Sequence, residues 1–342
     1  MANEKSAWKK LKCDIDSGNT AKLYLFYGEE SYLREYYTEQ LKKALVYDSM
    51  PEFNLVELSG KVSIDTIIEA VDSYPIMSEK KLVIIRDFDI FKADDAFKTR
   101  LISVLSDLPE HCCLLIIYGN DFKPDKRTKL FTAISKNGEV IDYTRAERHD
   151  IGAWIKRRFR ALGHDISPEL TDYLIFYCGG LMQPLIPEIE KISAYTRRSE
   201  IRREDITAVA TPNTEAVVFD LTDAIGAKEY KKAIGIAEQL NTLGEAPFAL
   251  IALIGRQMRQ IYSACLLMRE GRDARALMGM WGMRSDYPAK IIMRIARGVG
   301  LSWARFAVNL CTEIDAELKL GAKSDILQYF IARLAAFQEV KS

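Results

Sequence analysis

The sequence predicts an α/β domain built on a mainly parallel sheet, followed by two all-helical regions. Three observations lead there. Short, continuous apolar runs alternate with helical patterns up to Tyr143, and strands buried on both faces of a parallel sheet read in that way. Beyond Tyr143 apolar residues recur at helical spacing to the end of the chain. The 342 residues, 48% hydrophobic and 28% charged, have an ordinary globular composition and suffice for two or three domains.

The elements follow in order. Leu23-Tyr24-Leu25-Phe26-Tyr27 is an apolar, aromatic run closed by Gly28, a buried strand. Ser31 to about Val46 is a helix, with Tyr32, Leu33, Tyr36, Tyr37 and Leu41 at helical spacing. Asn54 to Leu58 is a second strand. Ser63 is a good N-cap, and Ile64, Ile67, Ile68 and Val71 then fall at i, i+3, i+4 and i+7. Pro75 ends that helix. Leu82 to Ile85 is the third strand, and a helix covers about 94–105. Cys113 to Tyr118 is the fourth strand, 126–135 a helix, Asn137-Gly138 a turn, and Glu139 to Tyr143 the fifth strand.

After residue 143 the helices run over about 151–162, 168–178, 185–195 and 204–209, and Thr211-Pro212-Asn213-Thr214 marks a boundary. Trp154, Phe159 and Tyr195 sit at core spacing. Further helices cover about 217–226, 229–242, 247–269, 272–279, 287–297, 301–318 and 323–338, punctuated by Gly244, Gly271, Gly300 and Gly321. The expected domains are 1–143, 144–212 and 213–342.

Lys+Arg and Asp+Glu are equal at 48 each, so charge alone does not make this a nucleic-acid coating protein. Basic clusters at Lys156-Arg157-Arg158, Arg197-Arg198 and Arg202-Arg203 read as solvated helix faces, with DNA-backbone contact as the alternative. No run of about 18 apolar residues suggests a membrane span, and the basic N-terminus has no apolar run after it, so no signal peptide is expected. The six cysteines form no C-x-x-C pair and read as buried or idle thiols of a reducing cytoplasm. His111, His149 and His164 have no ligand partner at i+4, so no metal site is expected.

A parallel α/β domain whose first strand ends in glycine invites comparison with the phosphate loop G-x-x-x-x-G-K-[ST]. Counted from Gly28, the second glycine falls on Leu33, the lysine on Arg34 and the magnesium-binding hydroxyl on Glu35. A leucine side chain stands where backbone must approach phosphate, and Glu35 adds negative charge beside a triphosphate. The acid expected at the end of the third strand is replaced by Arg86, with Asp87 one place later on the other face; both read as surface charges. Neither a cofactor nor catalysis by this chain alone is expected.

The stretch Tyr74-Pro75-Ile76-Met77-Ser78-Glu79-Lys80-Lys81 is the other anomaly. It is a connector between helix and strand, yet it carries Ile76 and Met77. These side chains either fold back onto their own core or stand out as a contact surface.

Taken together, Leu23–Leu33, Tyr74–Val83, Lys126-Arg127-Thr128-Lys129-Leu130, Pro187-Glu188-Ile189-Glu190-Lys191-Ile192 and Asp315-Ala316-Glu317-Leu318-Lys319 resemble, in order and spacing, the delta-subunit family of the bacterial DNA polymerase III clamp loader. The resemblance spans about residues 20–338. It implies an α/β AAA+-type (P-loop-like) domain, a small all-α lid and an all-α collar bundle. It also implies a subunit without nucleotide chemistry of its own inside a holoenzyme that is a DNA-directed DNA polymerase, working in the cytoplasm with the replisome at the nucleoid. The implied partners are the sliding clamp (beta subunit), the ATPase and delta-prime subunits joined through the collar, and primer–template DNA, with no membrane. The implied clamp-binding residues are Tyr74, Pro75, Ile76 and Met77; the family often carries aromatics at this tip, where this chain has Ile and Met. Two other readings stand beside it: an active AAA+ ATPase of remodelling or motor type, and a nucleic-acid-binding helical scaffold.

Overall fold

A computed structural model describes residues 4–46, 50–119, 122–144, 148–242, 244–283, 286–321 and 325–339. The chain divides into two compact units. The first comprises Met1–Glu147 with Leu181–Gln183, and the second Arg148–Gly180 with Pro184–Ser342.

The first unit is a five-stranded parallel sheet. Its elements in chain order are α1 (Glu4–Ser17), β1 (Leu23–Tyr27), α2 (Ser31–Leu45), α3 (Pro51–Asn54), β2 (Leu55–Ser59), α4 (Ile64–Asp72), β3 (Lys81–Arg86), α5 (Asp95–Ser106), β4 (Cys112–Ile117), α6 (Lys129–Asn137) and β5 (Glu139–Asp142). The strand order is β2-β3-β4-β1-β5, with Leu55 beside Leu82, Leu82 beside Cys113 and Leu23 beside Leu114. Alternate residues of each strand face opposite layers. Leu23, Leu25, Val83, Ile85, Leu114 and Ile116 pack with apolar residues of α4, α5 and α6. Tyr24, Phe26, Leu82, Ile84, Cys113 and Leu115 pack with Leu11 of α1 and with Tyr37, Leu41 and Leu45 of α2. A sheet covered on both faces needs the unbroken apolar strands read from the sequence.

The expected elements are present, with three local differences. α1 lies where no element was expected; among its described side chains, Leu11 and Ile15, one turn apart, reach the core. Asn54 closes the one-turn helix α3 instead of starting β2, because Pro51 opens that turn and the Asn54 side chain is wholly buried. α6 starts at Lys129, not 126, because Thr128 accepts a hydrogen bond from Phe131 N at 3.2 Å and caps it, after a turn in which Thr128 N donates to Asp125 O at 3.2 Å. Ser63 and Asp94 cap α4 and α5 in the same way.

The second unit is entirely helical among the described residues apart from an isolated bridge between Asp165 and Glu200. It contains α7 (Arg148–Ala161), α8 (Pro168–Cys178), α9 (Met182–Tyr195, whose first two residues belong to the first unit), α10 (Arg203–Val209), α11 (Thr214–Gly226) and α12 (Tyr230–Thr242). They are followed by α13 (Pro247–Arg269), α14 (Ala274–Trp281), α15 (Asp286–Val299), α16 (Leu301–Lys319) and α17 (Ile326–Glu339). Ile254, Met258, Ile261, Leu310, Ile314 and Phe330 are among the fully buried centre of its larger core. Trp154 and Phe159 are buried as expected, but Tyr195 is not a core residue: as the last residue of α9 it stands half exposed. Gly226 lets α11 approach α15, since a Cβ there would meet the Ile295 side chain at 2.9 Å.

Candidate functional site

The two ends of the parallel sheet carry the two features singled out in the sequence. Gly28 follows the C-terminal end of β1, where a phosphate loop would lie. The Tyr74–Lys81 connector precedes β3, so it lies at the opposite end, where the strands begin.

At the Gly28 end the loop is bonded to the protein's own groups. Gly28 has φ +122°, and a Cβ there would sit 2.3 Å from the carbonyl carbon of Tyr143, so this glycine serves strand packing. Glu30 N donates to Tyr143 O at 2.8 Å, tying the loop to the end of β5. The buried Arg34 turns back and its Nη1 donates to the carbonyl of Gly28, the loop whose N–H groups would cradle phosphate. The fully buried Glu30 carboxylate accepts from Met182 N, the first residue of α9, at 3.1 and 3.3 Å. Burial pushes the Glu30 carboxyl above its ordinary 4.5, opposed by the Met182 N–H and by Arg34. Burial likewise lowers the Arg34 guanidinium.

Arg86, the last residue of β3, is a surface charge, and it is paired with Glu35. They form a two-pronged ion pair, Nη1 to Oε1 at 2.9 Å and Nη2 to Oε2 at 3.1 Å. The positions that would supply a magnesium ligand and its acid neighbour therefore hold a carboxylate and a guanidinium that satisfy each other. Asp87, just beyond, takes a left-handed backbone at φ +54°.

At the other end, α4 stops at Asp72 and the chain passes through 73–80 without regular structure. Tyr74 and Met77 are 82% and 83% exposed, and Ile76 47%, while Pro75 is half-buried. The Ile76 and Met77 side chains do not fold back onto their own core. Its backbone is nonetheless fixed. The buried Asn54 amide reaches across: Nδ2 donates to Ile76 O at 2.9 Å, and Oδ1 accepts from Ile76 N at 2.8 Å. Lys81, 2% exposed, donates from Nζ to Ser73 Oγ, and its backbone N donates to His111 O at 2.8 Å. Burial lowers the Lys81 ammonium below its ordinary value. Ser78 Oγ donates to Lys80 O at 2.9 Å, and the Tyr74 ring stacks on His111 with centroids 4.6 Å apart. Met77 has φ +52°, a left-handed conformation that costs a side-chain-bearing residue roughly 1–2 kcal/mol. The tip is an ordered display of apolar side chains, and Asn54, Ser73, Lys81 and His111 are its supports.

Neither set of supports could be read from the sequence. Asn54 and Ile76 are 22 positions apart, and Glu35 and Arg86 are 51 apart; only the strand order brings them together. Among the described residues no group of three His, Cys, Asp or Glu side chains is placed to hold a metal ion, and no helix is long and apolar enough to cross a membrane.

The basic clusters are partly used inside their own unit. Arg158 lies over the Trp154 ring, 5.2 Å from its centroid. Arg198 pairs with Asp205 at 2.8 Å. Arg203 lies 4.4 Å over Tyr173 and donates to Tyr287 Oη at 3.0 Å. Arg157, Arg197 and Arg202 are exposed.

This is an α/β core on a five-stranded parallel sheet, with the loop after its first strand bonded by its own side chains, followed in the chain by a large helical unit. Two family models match the chain: DNA polymerase III, delta subunit, over residues 24–144, and DNA polymerase III delta subunit, C-terminal domain, over residues 215–334. The chain belongs to the DNA polymerase III delta-subunit family. It is 22% identical over 337 residues to DNA polymerase III subunit delta of Bacillus subtilis, covering 96% of this chain and 95% of the relative. It is 22% identical over 274 residues to a probable DNA polymerase III subunit delta of Aquifex aeolicus, covering 78% and 77%. A solved structure of the Bacillus subtilis DNA clamp loader delta protein matches with a TM-score of 0.51 at 20% identity, over 96% of this chain and 99% of that one.

Proposed function

We propose that this clamp-loader delta subunit binds a ring-shaped sliding clamp through Tyr74, Pro75, Ile76 and Met77 and holds one interface of the ring open for loading on primed DNA. The observation that carries the reading is the tip itself. Met77 is mostly exposed on a backbone held in a left-handed conformation, beside an Ile76 pinned by two hydrogen bonds from Asn54. A preordered tip loses little entropy on docking, so more of the burial of Ile76 and Met77 is available as affinity.

In this reading the chain contributes binding and not hydrolysis. Arg34 bound to the Gly28 carbonyl, and Glu35 paired with Arg86, support that part of it. The clamp is opened by contact, and nucleotide-driven steps belong to the ATPase subunits. Residues 144–212 act as the lid and 213–342 as the collar, through which the chain joins the ATPase and delta-prime subunits around primer–template DNA in the replisome.

The test is ring opening. A clamp labelled with a donor and acceptor dye across one interface is mixed with the full chain in the absence of nucleotide. The expected result is a saturable loss of energy transfer at that interface; unchanged transfer at saturating chain would overturn the reading.

A further inference from the structure

Among side chains described in the first unit, six large apolar ones are exposed: Tyr36, Met50, Phe53, Tyr74, Ile76 and Met77. All but Tyr36 fall on two segments, 50–54 and 74–77. These segments are far apart in sequence but joined in space, because Asn54, the last residue of α3, makes two amide hydrogen bonds to the backbone of Ile76. Sheet order requires the juxtaposition. β2 and β3 are parallel neighbours with Leu55 beside Leu82, so the residues that lead into them emerge at the same end of the sheet.

Phe53 is 57% exposed and Met50 47%, although Phe53 is next to a residue with no exposed surface at all. The backbone repeats the pattern of the tip. Met50 has φ +46°, so among the described residues two of the four non-glycine ones with positive φ are exposed methionines on these two segments. Strained backbone that persists beside exposed apolar side chains marks a surface built for contact. A single exposed apolar residue needs no explanation, but a cluster on two mutually bonded segments does.

We propose that α3 is a second docking element, and that Phe53 and Met50 bind the same clamp as the tip, on apolar surface next to the site taken by Ile76 and Met77. This rests on the clamp-binding reading above. The occupant is the clamp because the two segments share one anchor, Asn54, and a partner seated on the pinned Ile76 meets the neighbouring residue of that anchor next. In this arrangement Asn54 is a positioning residue that sets the register of the two elements.

The experiment titrates purified clamp with the full-length chain by biolayer interferometry. Variants are Phe53→Ser with Met50→Ser, Ile76→Ser with Met77→Ser, and Tyr36→Ser as the exposed aromatic outside the patch. The first pair is expected to weaken binding about tenfold or more, as loss of interface anchors does. Phe53→Leu should keep most of the affinity, and Tyr36→Ser should match wild type. Hydrogen exchange on the unmodified chain gives a second readout, independent of whether the variants fold: amides over 50–54 should gain protection when clamp is added.

If the Phe53/Met50 variant binds like wild type, or 50–54 gains no protection, while the Ile76/Met77 variant loses binding, this inference fails and the reading of the tip survives. If wild type does not bind, or the Ile76/Met77 variant binds equally well, the reading itself fails and takes the inference with it. A Phe53/Met50 effect confined to self-association in sedimentation would also overturn the proposal.

Discussion

Replacing Asn54 with alanine isolates what holds the tip. The substitution removes two hydrogen bonds, of 2.8 and 2.9 Å, from a side chain with no exposed surface. Each is worth about 0.5–1.5 kcal/mol net. The expected loss of stability is therefore about 1–3 kcal/mol, read as a shift in the urea midpoint. The local effect is larger than the global one. The Ile76 amide, protected by Asn54 Oδ1, should exchange with solvent orders of magnitude faster in Asn54→Ala, while the amides of β3 and β4 slow or quicken only with global stability. Asn54→Asp should be worse than Asn54→Ala at neutral pH, because it buries a carboxylate and sets an oxygen against the Ile76 carbonyl. Equal exchange of the Ile76 amide in wild type and Asn54→Ala would refute the idea that this pair orders the tip.

Other consequences are simpler to test. Gly28→Ala places a Cβ 2.3 Å from the Tyr143 carbonyl carbon at φ +122°, so it should cost at least about 2–4 kcal/mol in urea unfolding, or prevent folding. Glu30 has a folded-state pKa above its ordinary 4.5, so its contribution to stability is fully present below that value and is lost as pH rises through the folded pKa. Glu30→Gln lacks this loss, and the difference in stability between variant and wild type should move in favour of the variant from pH 4.5 upward, measured by denaturation at a series of pH values. The Glu35–Arg86 pair is partly exposed, so Glu35→Ala should cost no more than about 1 kcal/mol despite its two-pronged geometry. Calorimetry of the isolated chain with ATP and Mg²⁺ should give no saturable heat at micromolar concentrations; binding there would favour an active ATPase.

Much of the fold was legible because its signals are local. Leu23–Tyr27, Leu82–Ile85 and Cys113–Ile117 are apolar without a break, and Ser63 caps a helix whose apolar residues fall on one face. What was not legible depends on partners. Among the described side chains of α1, Leu11 and Ile15 reach the core, too sparse a stripe to stand out from its lysines and aspartates. α3 is one turn long, and Asn54 looks like a polar strand start until Ile76 is placed beside it. Arg86 looks like a charge closing a strand until α2 brings Glu35 within reach. The tip was visible as apolar residues in a connector, but its exposure could not be separated from burial by sequence pattern, since either satisfies it. Lys81, which reads as the end of the connector, is the buried first residue of β3, its ammonium bonded to Ser73.

Ile76 and Met77 are proposed above as the clamp-binding surface. Their exposed fractions leave about 2–4 kcal/mol of burial to be gained on docking, roughly 30- to 700-fold in affinity. The direct measurement is the dissociation constant of the full chain for purified clamp, without nucleotide, for wild type and for the variant carrying Ile76→Ser and Met77→Ser, with matched urea midpoints showing that both are folded. The expected result is a loss of affinity in that range with the fold intact. A folded double variant that binds the clamp as tightly as wild type would contradict it.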